Sequence, residues 1–177
     1  MAIIKVKKDF SGGLKYLKNV CGYIYNQKYA VGLGGNGVNP YHPDVCYEQM
    51  LAVKKYYAKT TTNPLIHVMI SYDIFSAPDI QTAVYYTRKI AEYFHKEYQT
   101  LYCTHNADHE HSWFHGHILV NSVNFRDGKM FSTSPKEMRQ FQEWVESITQ
   151  TGAYVDYWSK EKDKKYREKK AKSKANS

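Results

Sequence analysis

The chain has 177 residues, of which 42% are hydrophobic, and a formal net charge of +8. This length suits one domain with a buried core, and no apolar run is long enough to cross a membrane. The first residues, MAIIKVKKD, are too charged for a secretory signal peptide, and three cysteines without a CxxC pair argue against a disulfide framework. These features predict a cytoplasmic protein without membrane insertion.

The positive charge is concentrated at the two ends of the chain. Residues 159–177 carry nine Lys or Arg against three Asp or Glu, residues 1–30 carry a net +5, and the middle is slightly acidic. Such ends suit a phosphate backbone, although a disordered tail that only improves solubility explains the C-terminal charges equally well. We therefore predict a domain over residues 1–156 and a basic, disordered tail over 157–177.

The first half of the chain predicts a strand, two helices and a second strand. The strand 3–8 precedes a helix from Ser11, in which Leu14, Leu17, Cys21 and Ile24 recur at helical spacing. The stretch GLGGNGVNP (32–40) is followed by no helix and is predicted to be a flexible loop, not a nucleotide cradle. Pro43 can open the second helix, and residues 63–73 form the next strand.

The second half predicts a helix, adjacent strands and a last helix. Asp79 starts the helix, residues 100–105 and 114–125 are strands, and Asp127-Gly128 suits a hairpin turn to a further strand. Ser134 and Glu137 form a capping box for the last helix, which Gly152 ends. The order β-α-α-β-α-β-β-β-α predicts an α+β fold with a central, mostly antiparallel sheet flanked by helices.

Five histidines lie within thirteen positions of the segment THNADHEHSWFHGHILVNSVN (104–124). Because side chains alternate along strands, His115, His117 and Asn121 share one sheet face, and His105 on the preceding strand joins them. Three neutral imidazoles can bind a catalytic metal ion, for which Zn, Mn, Co or Ni is suitable, and Asn121 can orient a ligand or the substrate.

The remaining histidines have two interpretations each. His109 and His111 lie in a polar stretch and are expected to be solvated, and the HSWFH spacing lacks the His-Glu pair of zinc proteases. His67 shares a strand face with Ser71. It is either an ordinary core histidine or part of a polar face shared with the cluster.

Three segments together resemble a known family. LKNVCGYIYN (17–26), IHVMISY (66–72) and the histidine segment are similar, in this order, to the three motifs of conjugative relaxases of the MobP type, which are HUH endonucleases. The resemblance implies that Tyr23 is the nucleophile, and that Ser71 and Asp108 are further catalytic residues. Independently, Tyr23 falls away from the apolar stripe of its helix, whereas Tyr25 falls near its edge.

Two departures from the family pattern concern the third motif. Ala107 occupies the position of the family's aspartate, which follows one residue later as Asp108, and the interval before His115 is about two residues longer. His109 is therefore an alternative third metal ligand.

The resemblance implies a metal-dependent, strand-specific DNA nickase that acts at an origin of transfer through a 5′-phosphotyrosine intermediate. It also implies Mg or Mn as the ion, the cytoplasm of a bacterium as the location, and accessory relaxosome proteins and a type IV secretion coupling protein as partners. Basic residues would track the single-stranded DNA, namely Lys5, Lys7, Lys8, Lys15 and Lys18.

Two other interpretations stay open at this point. A rolling-circle replication initiator or transposase of the same chemistry would use a tyrosine after the histidines, and Tyr154 or Tyr157 suits that role. A non-catalytic, metal-stabilised nucleic-acid-binding module would leave Tyr23 merely packed. Covalent capture of a labelled oligonucleotide, and the identity of the modified tyrosine, separates the three.

Overall fold

The computed structural model describes residues 1–7, 13–25, 30–106 and 113–158, and only the backbone of Tyr25, Tyr157 and Trp158. In chain order the elements are β1 (Ala2–Lys7), α1 (Gly13–Tyr25), β2 (Ala30–Asn36), α2 (Pro43–Tyr56), β3 (Leu65–Tyr72), α3 (Ile80–Ala91) with a short 3-10 turn (Glu92–Phe94), β4 (Thr100–His105), β5 (Phe114–Asn121), α4 (Pro135–Thr149) and β6 (Ala153–Trp158).

The described strands form one six-stranded sheet in the order β2-β4-β5-β3-β1-β6. Every pairing is antiparallel except that of β1 with β6, which is parallel. This arrangement confirms the predicted α+β fold with a mostly antiparallel sheet and flanking helices.

The helices divide between the two faces of the sheet. α3 and α4 bury Ile90, Phe141 and Val145 against one face, together with Ile70 and Ile118 of the sheet. α1 and α2 cover part of the other face, where the buried residues are Leu17, Val20, Cys21, Ile24, Cys46, Met50, Leu65, Leu101, Cys103 and Leu119. Full burial of each large aliphatic side chain contributes about 1.5–3 kcal/mol, which makes these two layers the main source of stability.

The predicted caps Asp79 and Ser134 are confirmed, whereas the Glu137 carboxylate of the predicted capping box accepts a hydrogen bond from the Tyr93 hydroxyl at 2.8 Å. The Asp79 side chain accepts a hydrogen bond from the backbone N–H of Thr82 at 2.7 Å. The Ser134 hydroxyl accepts from the N–H of Glu137 at 3.3 Å, directly before Pro135. α4 ends earlier than predicted, however, because Gln150 rather than Gly152 adopts the left-handed conformation (φ 54°) at its end.

The first part of the glycine-rich segment, residues 32–36, is a strand and not the flexible loop that was predicted. Residues 30–36 form β2, an edge strand that pairs with β4 through an irregular register between Val31 and Gly34. The ring of Tyr102 fills the space beside Gly34, so that a Cβ atom there would lie 2.7 Å from Cε2 of that ring. The glycine permits this close packing, which a sequence pattern does not reveal.

Two further differences lie near the C-terminus. After β5 the chain turns at Gly128 (φ +72°), but only an isolated bridge, Val123 to Met130, follows, so the predicted third consecutive strand is absent from the described residues. Instead the chain enters β6 after α4. This strand spans Ala153–Trp158, so the predicted domain boundary at residue 156 falls within it.

Candidate active site

The strand register brings three histidines together on the face that α1 and α2 partly cover. His105 of β4 lies directly opposite His115 of β5, and His117 lies opposite Cys103. One ring nitrogen from each histidine lies within 4.8 Å of the other two. His105 and His117 are buried (4% exposed each), and His115 is half-buried. The predicted grouping of His105, His115 and His117 is therefore present in the structure.

The residue between two of these histidines lies against the opposite layer of the molecule. Gly116 faces α3, where a Cβ atom would lie 2.8 Å from Cγ2 of Thr87 and closer still to its hydroxyl oxygen. β5 and α3 can approach this closely only without a side chain at position 116. The His-Gly-His sequence thus places imidazoles on one face and helix packing on the other.

A fourth histidine contacts this group from the neighbouring strand. Nε2 of His67, on β3, lies 3.0 Å from Nδ1 of His117, and both rings are buried. Burial, and to a smaller extent the positive charge of Lys7 and the His105 ring, together lower the pKa of His67 to about 3. His67 is therefore neutral near pH 7 and can either donate or accept in this bond.

Tyr23 lies at the edge of the same group. Its ring centroid is 6.3 Å from that of His105 and 6.3 Å from that of His117, and its side chain is 47% exposed. Leu17, Cys21 and Ile24 of the same helix are fully buried. The predicted off-stripe position of Tyr23 is confirmed, and its ring adjoins the rings of His105 and His117.

Ser71 and two lysines lie on the same face of the sheet. Ser71 pairs with His115 across β3 and β5, and Lys5 and Lys7 of β1 pair with Met69 and His67. Ser71, Lys5 and Lys7 are half-buried, as are Met69 and His115, whereas His67 is buried. Nζ of Lys7 lies 5.9 Å above the ring of Tyr16, on α1.

The two lysines predicted on α1 are exposed. Nζ of Lys18 lies 3.7 Å from a carboxylate oxygen of Asp44 and 5.7 Å above the ring of Tyr47, so it points towards α2. Lys15 is exposed on the same helix.

Asn121, predicted to orient a ligand or the substrate, has a different position. It is fully buried at the far end of β5, and its amide donates hydrogen bonds to the carbonyl oxygen of Met50 at 3.0 Å and to Oε1 of Gln99 at 2.8 Å. In this structure Asn121 connects α2 to the sheet and does not reach the histidines. Asp108, His109 and His111 lie outside the described residues.

Tyr154 is separated from the histidines by two strands. Across the sheet His115 pairs with Ser71, Ser71 with Ile3, and Ile3 with Tyr154. The backbones of His115 and Tyr154 are therefore three strand spacings apart, or roughly 14 Å. This distance disfavours Tyr154 as a nucleophile, whereas Tyr23 adjoins the histidine group. The side chain of Tyr157 is outside the described residues.

Comparison with known proteins agrees with this geometry. The family described as "Relaxase: MobA/VirD2-like, nuclease domain" matches residues 17–152, which is more than half of the chain. The chain therefore belongs to the MobA/VirD2-like relaxase family, in its nuclease domain. No curated protein sequence matches the chain.

Solved structures share this fold at low sequence identity. A chain from the study "Molecular Basis of Vancomycin Resistance Transfer in Staphylococcus aureus" superposes with a TM-score of 0.59 at 8% identity, covering 88% of this chain and all of that one. Within the part of the chain that the structure describes, none of the helices has the length and apolar character needed to span a membrane.

Proposed function

We propose that this relaxase domain nicks and rejoins one DNA strand at an origin of transfer, using Tyr23 as the nucleophile. The observation that carries the proposal is the exposed phenol of Tyr23 beside the buried rings of His105 and His117. The 17 tyrosines of the chain make any single tyrosine a weak candidate on composition alone. Family membership, motif position and contact with the histidine group together distinguish Tyr23.

In the proposed reaction, Oη of Tyr23 attacks the scissile phosphorus and the bond from phosphorus to the 3′ oxygen breaks. The products are a 5′-phosphotyrosine and a free 3′-OH, and the reverse reaction rejoins the strand. A phenol has a pKa of about 10, so Oη must lose its proton during attack. Asp108, from its motif position, is our candidate for the base, and the Ser71 hydroxyl can donate a hydrogen bond to a phosphate oxygen.

The three histidines are suited to a divalent metal ion. Their donor atoms converge within 4.8 Å, and His105 and His117 are shielded from water. Neutral imidazoles suit Mn, Zn, Co or Ni, and the family resemblance favours Mg or Mn. When bound, such an ion supplies positive charge that polarises the scissile phosphate. We infer that His105, His115 and His117 hold it.

The substrate proposed here is single-stranded DNA from an origin of transfer, in the conjugative mobilisation of a plasmid or integrative element. Lys5 and Lys7 are on the histidine face of the sheet and can contact phosphates, which supports this choice. Accessory relaxosome proteins and a type IV secretion coupling protein are proposed as further partners on the ground of the resemblance alone.

The test is covalent capture of single-stranded oligonucleotides that tile the DNA beside the gene. Because the 5′ phosphate of the downstream fragment joins Tyr23, a label at the 3′ end should move with the protein, and a label at the 5′ end should be released with a free 3′-OH. Cleavage should stop with a chelator and return with Mn. Binding without any adduct would support the non-catalytic module, and an adduct mapped to Tyr154 or Tyr157 would support the replication initiator or transposase.

A further inference from the structure

We propose that His67 is a positioning residue of the metal centre, which accepts the Nδ1–H of His117 and so directs Nε2 of His117 towards the ion. This inference rests on the metal site of the proposed function. Its basis is the distance of 3.0 Å between Nε2 of His67 and Nδ1 of His117, in a bond that is buried on both sides.

The strand register explains why these two rings meet. His117 is directly opposite Met69, and His67 is two residues further along β3 on the same face, opposite Leu119. His67 and His117 are therefore diagonal neighbours on adjacent antiparallel strands, a separation that aromatic side chains can span. Their ring centroids lie 5.2 Å apart with the planes tilted by 40°, so the contact joins ring edges and is not a stack.

The chemistry of imidazole turns this contact into a constraint. A neutral imidazole carries one N–H and one lone pair, and only the lone pair can bind a metal. If the Nδ1–H of His117 donates to His67, the lone pair of His117 is on Nε2. If His67 donates instead, the proton of His117 moves to Nε2 and blocks that ligand atom. Metal binding therefore selects the arrangement in which His67 accepts through Nε2 and keeps its own proton on Nδ1.

The partner that orients a metal-binding histidine is commonly a carboxylate or a backbone carbonyl. A neutral imidazole in this place carries no formal charge, so it orients His117 without adding negative charge next to the ion. That difference matters on this face, because the half-buried Lys7 is directly opposite His67 on β1. The pair fixes the ligand geometry, while the positive potential that attracts a phosphate is retained.

The experiment compares three variants for metal binding, measured by calorimetric titration of Mn into metal-free protein. His67→Leu removes the acceptor and should weaken binding about 10- to 100-fold, the usual effect of losing such a partner. His67→Gln can place an amide oxygen where Nε2 was and should retain most of the affinity. The matched control is His95→Leu, which removes a half-buried histidine that stacks on Tyr102 away from the cluster, and should bind Mn as the parent does.

Nitrogen NMR of the wild-type protein with Zn, a diamagnetic probe, tests the same point without any substitution. The expected signature is His117 protonated on Nδ1 and ligated through Nε2, with His67 protonated on Nδ1. Ligation of His117 through Nδ1, or His67 protonated on Nε2, would overturn the inference even if His67→Leu failed to fold. Equal Mn affinity in His67→Leu and the parent, or equal losses in the Leu and Gln variants, would also overturn it.

These readouts are independent of DNA cleavage. A protein that binds Mn through the predicted arrangement but forms no DNA adduct would refute the proposed function and leave the role of His67 intact. A protein that forms the adduct on Tyr23 while His67→Leu binds Mn normally would refute only the role of His67.

Discussion

Substitution of Gly116 by alanine should disturb the packing of β5 against α3 and also weaken binding at the proposed metal site. A Cβ atom at this position would lie 2.8 Å from Cγ2 of Thr87, whereas carbon atoms are normally about 3.5–4.0 Å apart. Thr87 cannot easily rotate away, because its buried hydroxyl donates to the carbonyl of Ala83 at 2.9 Å and is hydrogen-bonded to the Tyr72 hydroxyl at 3.0 Å. Either β5 or α3 must therefore shift by about 1 Å.

Overpacking of this kind costs about 1–3 kcal/mol of the free energy of unfolding. For a domain of this size, a loss of about 2 kcal/mol lowers the melting temperature by roughly 4–8 °C. His115 and His117 are the chain neighbours of Gly116, so a displaced β5 also moves two of the three proposed metal ligands. Gly116→Ala should therefore lower both stability and Mn affinity.

The assay is thermal unfolding with a chelator present, followed by Mn titration of the folded protein. Gly152→Ala is the matched control, because a Cβ atom there meets nothing within 4 Å. In a double-mutant cycle, Thr87→Ala removes the obstructing atoms, so the combined variant should be more stable than the sum of the two single losses predicts. Additive losses, or a Gly116→Ala protein as stable as the control, would refute the packing argument.

Three further predictions concern the nucleophile, a buried lysine and the basic tail. Tyr23→Phe should abolish formation of the covalent DNA adduct yet leave DNA affinity largely unchanged, because only the attacking oxygen is lost. The control variant Tyr25→Phe should still form the adduct, and an adduct that persists in Tyr23→Phe contradicts the assignment. Burial lowers the pKa of Lys54 from 10.5 to about 8, so between these pH values the unfolded chain binds a proton that the folded chain does not. The free energy of unfolding, measured by denaturant titration, should therefore rise with pH over that interval relative to the Lys54→Met variant, by at most about 3 kcal/mol. A difference between the two proteins that stays constant with pH would show that the pKa of Lys54 is normal. Deleting residues 159–177, which carry +6, should lower affinity for any single-stranded DNA and reduce the slope of log K against log salt by up to about 4, and an unchanged slope would make the tail a passive segment.

The sequence allowed the histidine group to be predicted because alternation along a strand depends on local geometry alone. Once residues 100–105 and 114–121 are strands, His115 and His117 must share a face, and the short separation of the two strands in the chain favours their pairing. The same reasoning assigned Tyr23 a position off the apolar stripe. Both features depend on periodicity within one element or between close neighbours in the chain.

Features that depend on distant contacts could not be predicted in this way. The bond between His67 and His117 requires the register of β3 against β5, and the burial of Asn121 requires the positions of Met50 and Gln99. The sequence of β2 predicts a loop because glycine has low strand propensity. The reason for a glycine at position 34, the ring of Tyr102 packed against it, is visible only in the structure. β6 follows the last predicted helix and pairs with β1, about 150 residues earlier in the chain.

The uneven cover of the histidine face predicts which lysines contact DNA. α1 and α2 pack over residues of β4 and β5, whereas Lys5, Met69 and Ser71 on the β3–β1 side remain half-exposed. A strand whose scissile phosphate lies beside Tyr23 can continue over this open side, towards Lys5. Lys18, in contrast, is directed to Asp44 on α2. Lys5→Gln should therefore reduce the slope of log K against log salt by about 0.7, the value for one phosphate contact in single-stranded DNA, and Lys18→Gln should not. Fluorescence titrations at several salt concentrations measure both slopes. Equal slopes for Lys5→Gln and the parent, with a reduced slope for Lys18→Gln, would place the DNA over α1 instead.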